Sequence, residues 1–143
     1  MGVTAAAVAS QFPEFLLAEP YGKPIGLQLY TLRDQLEKDV TDTIRQLAAI
    51  GYRDVEIYSL YGKAPAEFSK ILKDNGITAS SSHYLLPSLK TNWEKQLEDA
   101  KILGLRYMVL AILDAKDRQS FDDFKRLAEL LNKTGEALSL IHI

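Results

Sequence analysis

The 143-residue sequence predicts an α/β fold: four βα units in a row, their strands forming a parallel sheet. The expected architecture is the (βα)4 half of a TIM (β/α)8 barrel, truncated before strand five. Three observations carry this. First, Gly26, Gly51, Gly76 and Gly104 each precede or open a short β-rich run, at spacings of 25, 25 and 28 residues. One strand, one helix and two short loops take about 25 to 30 residues, so this is the period of a βα repeat. Second, the first two strands alternate. Ile25, Leu27 and Leu29 oppose Gly26, Gln28 and Tyr30, and Val55 and Ile57 oppose Asp54, Glu56 and Tyr58. An open sheet with helices on both faces would carry continuous aliphatic runs, whereas one aliphatic and one polar face suits a barrel. Third, neither the glycine-rich dinucleotide fingerprint nor a P-loop is present. A complete barrel needs eight units and about 250 residues.

The elements follow in order. Residues 25–31 read as the first strand. The first helix runs from 39 to 50, with Asp39 as N-cap, Asp42 at the positive end of the helix dipole and Gly51 as the left-handed stop. Its core face is Val40, Ile44, Leu47 and Ile50. Residues 54–58 form the second strand. Pro65 opens the second helix, which buries Phe68, Ile71 and Leu72 and stops at Asn75-Gly76. The third strand is 77–83 and the third helix 92–103, with Trp93, Leu97, Ala100 and Leu103 inward. The fourth strand is 107–113. Ser120 and Asp123 have the spacing of a capping box, and the helix they open is expected to bury Phe121, Phe124, Leu127, Ala128 and Leu131.

Composition narrows the function classes. The net charge of −2, with Lys and Arg scattered among Asp and Glu at helical spacings, argues against a nucleic-acid partner. The sequence has no cysteine, which excludes disulfides, thiolate zinc sites and cysteine nucleophiles. A chain of this length can bury roughly 70% of its unfolded surface if it closes into a compact body.

The informative polar residues fall near the carboxyl ends of the strands, where barrel enzymes build their sites. Glu56 stands between Val55 and Ile57, where a buried strand would normally carry an aliphatic residue. A carboxylate there must be paired, hydrated or used. It could bind a sugar hydroxyl or support a base; the alternative is a structural ion pair with Arg33, Arg53 or Lys63. His83, at the expected end of the third strand, could hydrogen-bond substrate oxygens or move a proton near neutral pH, or be a satisfied loop-entry histidine. Gln28 and Tyr30, one pleat apart, offer an amide and a phenol suited to polyol recognition, or fill a barrel layer. Asp114, Asp117, Asp122 and Asp123 surround the fourth loop, but two of them read as helix-start residues. No metal site is assigned, since Glu56 and His83 alone are too few donors on separate strands.

The segments Pro24-Ile-Gly-Leu-Gln-Leu-Tyr-Thr-Leu-Arg33, Gly51-Tyr-Arg-Asp-Val-Glu-Ile57 and Ser81-Ser-His83 together resemble the xylose isomerase-like TIM barrels. These are the sugar phosphate isomerase/epimerase and inosose dehydratase-like proteins. The likeness covers about residues 24–137 and the N-terminal half of such a barrel. It implies isomerisation or epimerisation of a small polyol, ketose or sugar phosphate through an enediolate, stabilised by a divalent ion (Mn, Mg, Co or Zn). In the family those ligands come mainly from strands five to eight, so they are not expected in this chain and its catalytic residues stay unassigned. Gln28, Tyr30, Glu56 and His83 carry over as residues that meet the substrate or stand directly behind those that do. The resemblance implies an enzyme at the level of the family, and these four units alone are expected to be inactive. The alternatives are a non-enzymatic half-barrel that binds a polyol or dimerises, and a dehydratase of the same superfamily.

Two ends depart from the repeat. Residues 1–23 read as a leader and linker. The small apolar run Gly2 to Ala9 resembles a secretory signal remnant, without a basic start or a twin arginine. Export to a periplasm would follow if it is one, and a cytoplasmic location otherwise. Gln11 and Glu14 make the run too polar for a membrane span. At the other end, residues 138–143 resemble the translated end of a transposase adapter and are expected to be a non-native tail, the alternative being a short fifth strand. His142 is given no role. Four βα units leave two open sheet edges, which would invite a homodimer.

Overall fold

A computed structural model of the chain describes residue 22 and residues 24–139. The leader expected over 1–23 lies outside the described residues except for Gly22, and so do residues 140–143 of the expected tail. Leu138 and Ser139 belong to the last helix.

The elements run β1 (Gly26–Gln28), α1 (Arg33–Leu36), α2 (Val40–Ile50), β2 (Asp54–Ile57), α3 (Pro65–Asp74), β3 (Thr78–Leu85), α4 (Leu86–Thr91), α5 (Trp93–Leu103), β4 (Tyr107–Ile112) and α6 (Phe121–Ser139). The four strands form one parallel sheet in the order β1-β2-β3-β4. Strands in sequence order, each returning through helix, make half of a TIM barrel.

Local chemistry explains the boundaries. Asp39 Oδ1 accepts the Asp42 N–H at 2.9 Å, which caps α2. Gly51, at φ 117°, ends it in a conformation that side-chain-bearing residues rarely adopt. Pro65 stands in the first turn of α3, where its missing N–H costs nothing. Ahead of α6, the Ser120 N–H donates to Asp123 Oδ2 at 2.7 Å and the Asp123 N–H to Ser120 Oγ at 3.2 Å, a reciprocal capping box. Those Ser120 hydrogen bonds, helped by Arg126, hold the Asp123 carboxyl below its ordinary pKa.

The core lies between one face of the sheet and the helices. Phe68, Leu29, Leu36, Ile44, Ile57, Leu72, Ile77 and Val55 are its largest fully buried side chains. Ala100 and Leu103 of α5 join them, and Leu27, Ile71 and Trp93 pack at its rim. Tyr84 is buried against the same core. Desolvation pushes its phenol up to about 12, with a small opposing contribution from a Ser82 hydrogen bond and a small reinforcing one from Asp99. The folded pKa lies above the ordinary value near 10, so the associated stability is complete below pH ~10 and is lost as pH rises toward 12. Denaturant titrations at successive pH values in this window are expected to show a loss of about 2 kcal/mol that Tyr84→Phe removes. The same pH slope in both proteins would show that Tyr84 is not the group responsible.

Several expectations need correction. The first strand stops at Gln28, not Thr31, because Leu29–Leu32 turns into a 3-10 helix. Tyr30 is therefore off the strand. Two short helices, α1 and α4, were not expected; α4 starts with Pro87 in its first turn. Ile50 was assigned to the core face of α2 and is 71% exposed. Phe121 is 75% exposed, and Phe124, Ala128 and Leu131 are exposed as well. Of the residues of α6, only Thr134 is buried. In a barrel the far side of this helix would meet the next βα unit, and no such unit lies among the described residues. Where α6 does meet the sheet, a cavity of about 220 Å³ remains between Met108 and Leu110 of β4 and Leu131, Thr134, Gly135 and Leu138.

Candidate functional site

The site grows from the face of the sheet that the helices leave uncovered. In the β1–β2 register Gln28 lies beside Glu56, and in the β2–β3 register Glu56 lies beside Ser81. Strand alternation alone would misplace β3. Val55 pairs with Ala79 and Ile57 with Ser82, so three steps along β3 match two along β2. The extra residue is a β-bulge, and a one-residue shift moves every following side chain to the other face. Ala79 packs in the core with Val55, while after the bulge Ser81 and His83 come round to the Glu56 side and Ser82 and Tyr84 go inward. The Ser82 hydroxyl, now buried, donates to the Ile57 carbonyl at 3.2 Å.

Three of the four candidate side chains, with Ser81, form one connected cluster. His83 Nε2 is 2.7 Å from Glu56 Oε1. Ser81 Oγ donates to Glu56 Oε2 at 2.7 Å. The Gln28 amide nitrogen lies 3.3 Å from His83 Nε2 and 3.5 Å from Nδ1. A neutral imidazole has one donor and one acceptor nitrogen. With Nε2–H donating to the carboxylate, the Gln28 amide can donate only to Nδ1, and its approach to Nε2 is a contact. Both oxygens of Glu56 are thus engaged while its side chain is still 28% exposed and that of His83 21%. The carboxylate keeps lone pairs, and Gln28 keeps its carbonyl, for a further partner on the open side.

The cluster sits toward the carboxyl ends of the strands. Gln28 is the last residue of β1, Glu56 the last but one of β2, and His83 the third from the end of β3. His83 was expected to end its strand, which instead continues to Leu85. The ion-pair alternative for Glu56 is not what the structure shows. Arg33 donates to the Tyr30 carbonyl, Arg53 to the Ala48 and Tyr52 carbonyls, and Lys63 pairs with Glu67.

Tyr30 is not a member of this cluster. Its ring meets Tyr58 edge-on at 4.6 Å between centroids, and the Arg33 guanidinium lies over it at 4.6 Å. Ser81 was not among the candidates. Its signal was present in Ser80-Ser81-Ser82-His83, a polar run inside a strand, but which serine faces Glu56 depends on the bulge.

The residues do not fit a divalent-metal site. Glu56 and His83 are two donors and are bonded to each other, and no group of three or more His, Asp or Glu able to hold a metal occurs among the described residues. Asp123 of the acidic fourth loop is taken up by its cap, and Asp114 and Asp122 lie beside Lys116 and Lys125.

No protein-family model matches the sequence, and no curated protein matches it. Solved structures do. One, a sugar phosphate isomerase/epimerase from Parabacteroides distasonis, shares 26% identity with a TM-score of 0.66 over 84% of this chain. A second structure of that description from the same organism shares 21% identity with a TM-score of 0.67 over 83% of this chain. The match covers 49% of the first of those chains and 51% of the second, so this sequence spans about half their length. The chain is thus similar in structure to sugar phosphate isomerase/epimerases of the xylose isomerase-like TIM barrel superfamily, over one half of such a barrel.

Proposed function

We propose that Gln28, Glu56 and His83 are part of the substrate-side wall of a sugar or polyol isomerase/epimerase site, with Tyr30 at its margin. The observation that supports this best is the Glu56–His83 pair at 2.7 Å, bridged to Gln28 on the open face of the sheet. A buried parallel strand gains nothing from a carboxylate, since desolvating it costs several kcal/mol unless it is paired. This pairing leaves polar capacity turned outward. Each of two vicinal hydroxyls presents one donor and two acceptor lone pairs, and the carboxylate and the Gln28 carbonyl can each accept one of the two donors. In the reaction proposed, proton movement next to a carbonyl, the imidazole, with both nitrogens engaged, holds the carboxylate in place, and the carboxylate's remaining lone pairs can take a substrate hydroxyl. A divalent ion of the kind the resemblance implies would need donors from outside the described residues, and no step is assigned to it.

Two measurements test this. Titration of the chain with a polyol such as myo-inositol is expected to give saturable shifts of the Gln28 side-chain amide and the His83 ring in NMR spectra. Glu56→Ala should weaken that binding about tenfold or more, because it leaves His83 without its partner. Absence of saturable shifts at both residues would overturn the reading. By itself the chain is expected to show no metal-dependent turnover of a ketose or inosose, and measurable turnover would show that the catalytic groups lie within it.

The uncovered apolar surface favours a second property in addition: pairing of two half-barrels through their open sheet edges, without which the polar wall faces bulk water.

A further inference from the structure

The aromatic residues beside the polar cluster have no role in it, and their placement is specific. Tyr58 follows Ile57, the last residue of β2 and part of the core, and lies two positions beyond Glu56. Tyr30 lies two positions beyond Gln28, which is the neighbour of Glu56 across the β1–β2 pair. The two rings meet edge-to-face at 4.6 Å, an arrangement favoured by the ring quadrupoles. Both remain close to half exposed, Tyr30 at 44% and Tyr58 at 46%. The pair is also fixed in place. Arg33 stacks over the Tyr30 ring while its Nη1 donates to the Tyr30 carbonyl at 3.1 Å.

The loop that follows β2 carries a cost in backbone energy. Tyr61 has φ 51°, and it is the one residue other than glycine with positive φ among the described residues. A bulky side chain in that region is an outlier that surrounding structure must hold. Its hydroxyl is buried without a hydrogen-bond partner among the described residues. Burial chiefly, and then the negative charge of Glu37 and the neighbouring Tyr58, raise its pKa above the ordinary phenol value, so it stays neutral. A strained residue with an unsatisfied hydroxyl, set next to an exposed aromatic pair at the carboxyl end of the sheet, is the kind of cost met at binding surfaces.

We propose that Tyr58, braced edge-to-face by Tyr30, is a stacking ledge for the C–H face of a ring-form sugar or cyclic polyol whose hydroxyls reach the Gln28–Glu56–His83 cluster. The inference rests on the polyol reading and deepens it. A cyclic polyol with equatorial hydroxyls has axial C–H bonds on its ring faces, which carry partial positive charge toward a ring's negative face. Its edge carries the hydroxyls that the polar cluster would meet. An open-chain polyol offers the same hydroxyls but no rigid face. The ledge therefore selects ring over chain, whereas the cluster alone would accept both.

The test compares myo-inositol, which is cyclic, with glucitol, which is open-chain, in NMR titrations of the full chain. Myo-inositol is expected to bind about tenfold more tightly and to shift the ring protons of Tyr58 and Tyr30 together with the Gln28 amide and the His83 ring. Tyr58→Leu should abolish the preference, and Tyr58→Phe should keep it, because the ring and not the hydroxyl is what the ligand meets. Equal affinity for the two polyols with shifts at Gln28 and His83 alone would overturn the ledge and leave the polar wall standing. Loss of the preference in Tyr58→Phe would overturn stacking in favour of a hydroxyl contact. Absence of shifts at every one of these residues would overturn both proposals together.

Discussion

At micromolar concentration the chain is expected to sediment as a dimer or a larger species. The reason lies in what the sheet leaves uncovered. Among the described residues β1 and β4 each have one unpaired edge, and open edges are templates for further strand pairing. Tyr107 and Ile112, the two ends of β4, are 64% and 65% exposed. Beside them α6 presents Phe121, Phe124 and Leu131 to solvent. Covering roughly 300 Å² of such apolar surface is worth about 7.5 kcal/mol at 25 cal/mol per Å². That rivals the whole stability of a small domain, about 5–15 kcal/mol. A second copy that set its β1 beside β4 would close both edges at once, by the two-fold arrangement common to homodimers. Analytical ultracentrifugation across a concentration series decides this. Ile112→Lys places a charge on the β4 edge and is expected to shift the population toward monomer. A wild-type chain that stays monomeric at these concentrations and unfolds cooperatively would show that the face needs no partner.

Phe68→Ala is expected to cost about 3–5 kcal/mol of stability, the largest loss from a single side chain in this fold. Phe68 projects from α3 and is wholly buried, with Val55 and Ile57 of β2, Leu72 one helical turn on, and Ala100 of α5 in the same core. Removing its ring leaves a cavity where helix and sheet meet, and rigid strands on one side limit how far the site can collapse. Phe68→Leu keeps most of the volume and should cost clearly less. Urea unfolding at one fixed protein concentration measures the difference, since self-association would otherwise move the midpoint. A loss under about 1 kcal/mol for the alanine variant would remove Phe68 from the centre of the core.

Much of the candidate site was legible because a polar residue in a buried strand stands out. Glu56 between Val55 and Ile57 was visible without coordinates, and so was the amide of Gln28 on the non-aliphatic face of the first strand. The connection between them was not. It needs His83, and the face that His83 occupies depends on an insertion of one residue in the β2–β3 ladder. A period-two pattern cannot show such an insertion, because the bulge is settled by which strand neighbours pair, not by the composition of β3. The same limit explains Tyr30, which alternation placed on β1 but which belongs to a 3-10 turn toward α1.

What the sequence determined by itself is the order and direction of the elements. Gly51, Gly76 and Gly104 all take positive φ after their helices, so each helix ends where its own chemistry requires it to end. Short strands at a βα period then leave a parallel sheet as the way to bury their aliphatic faces. Only the tertiary structure decided which apolar residues are covered and which polar ones meet. Ile50, Phe121 and Phe124 have the helical spacing of core residues and lie exposed. Periodicity reports which face of a helix is apolar, while burial also requires a neighbour on that face. Glu56 and His83 are 27 residues apart in sequence and 2.7 Å apart in space, a contact set by the register of two strands, which no local pattern encodes.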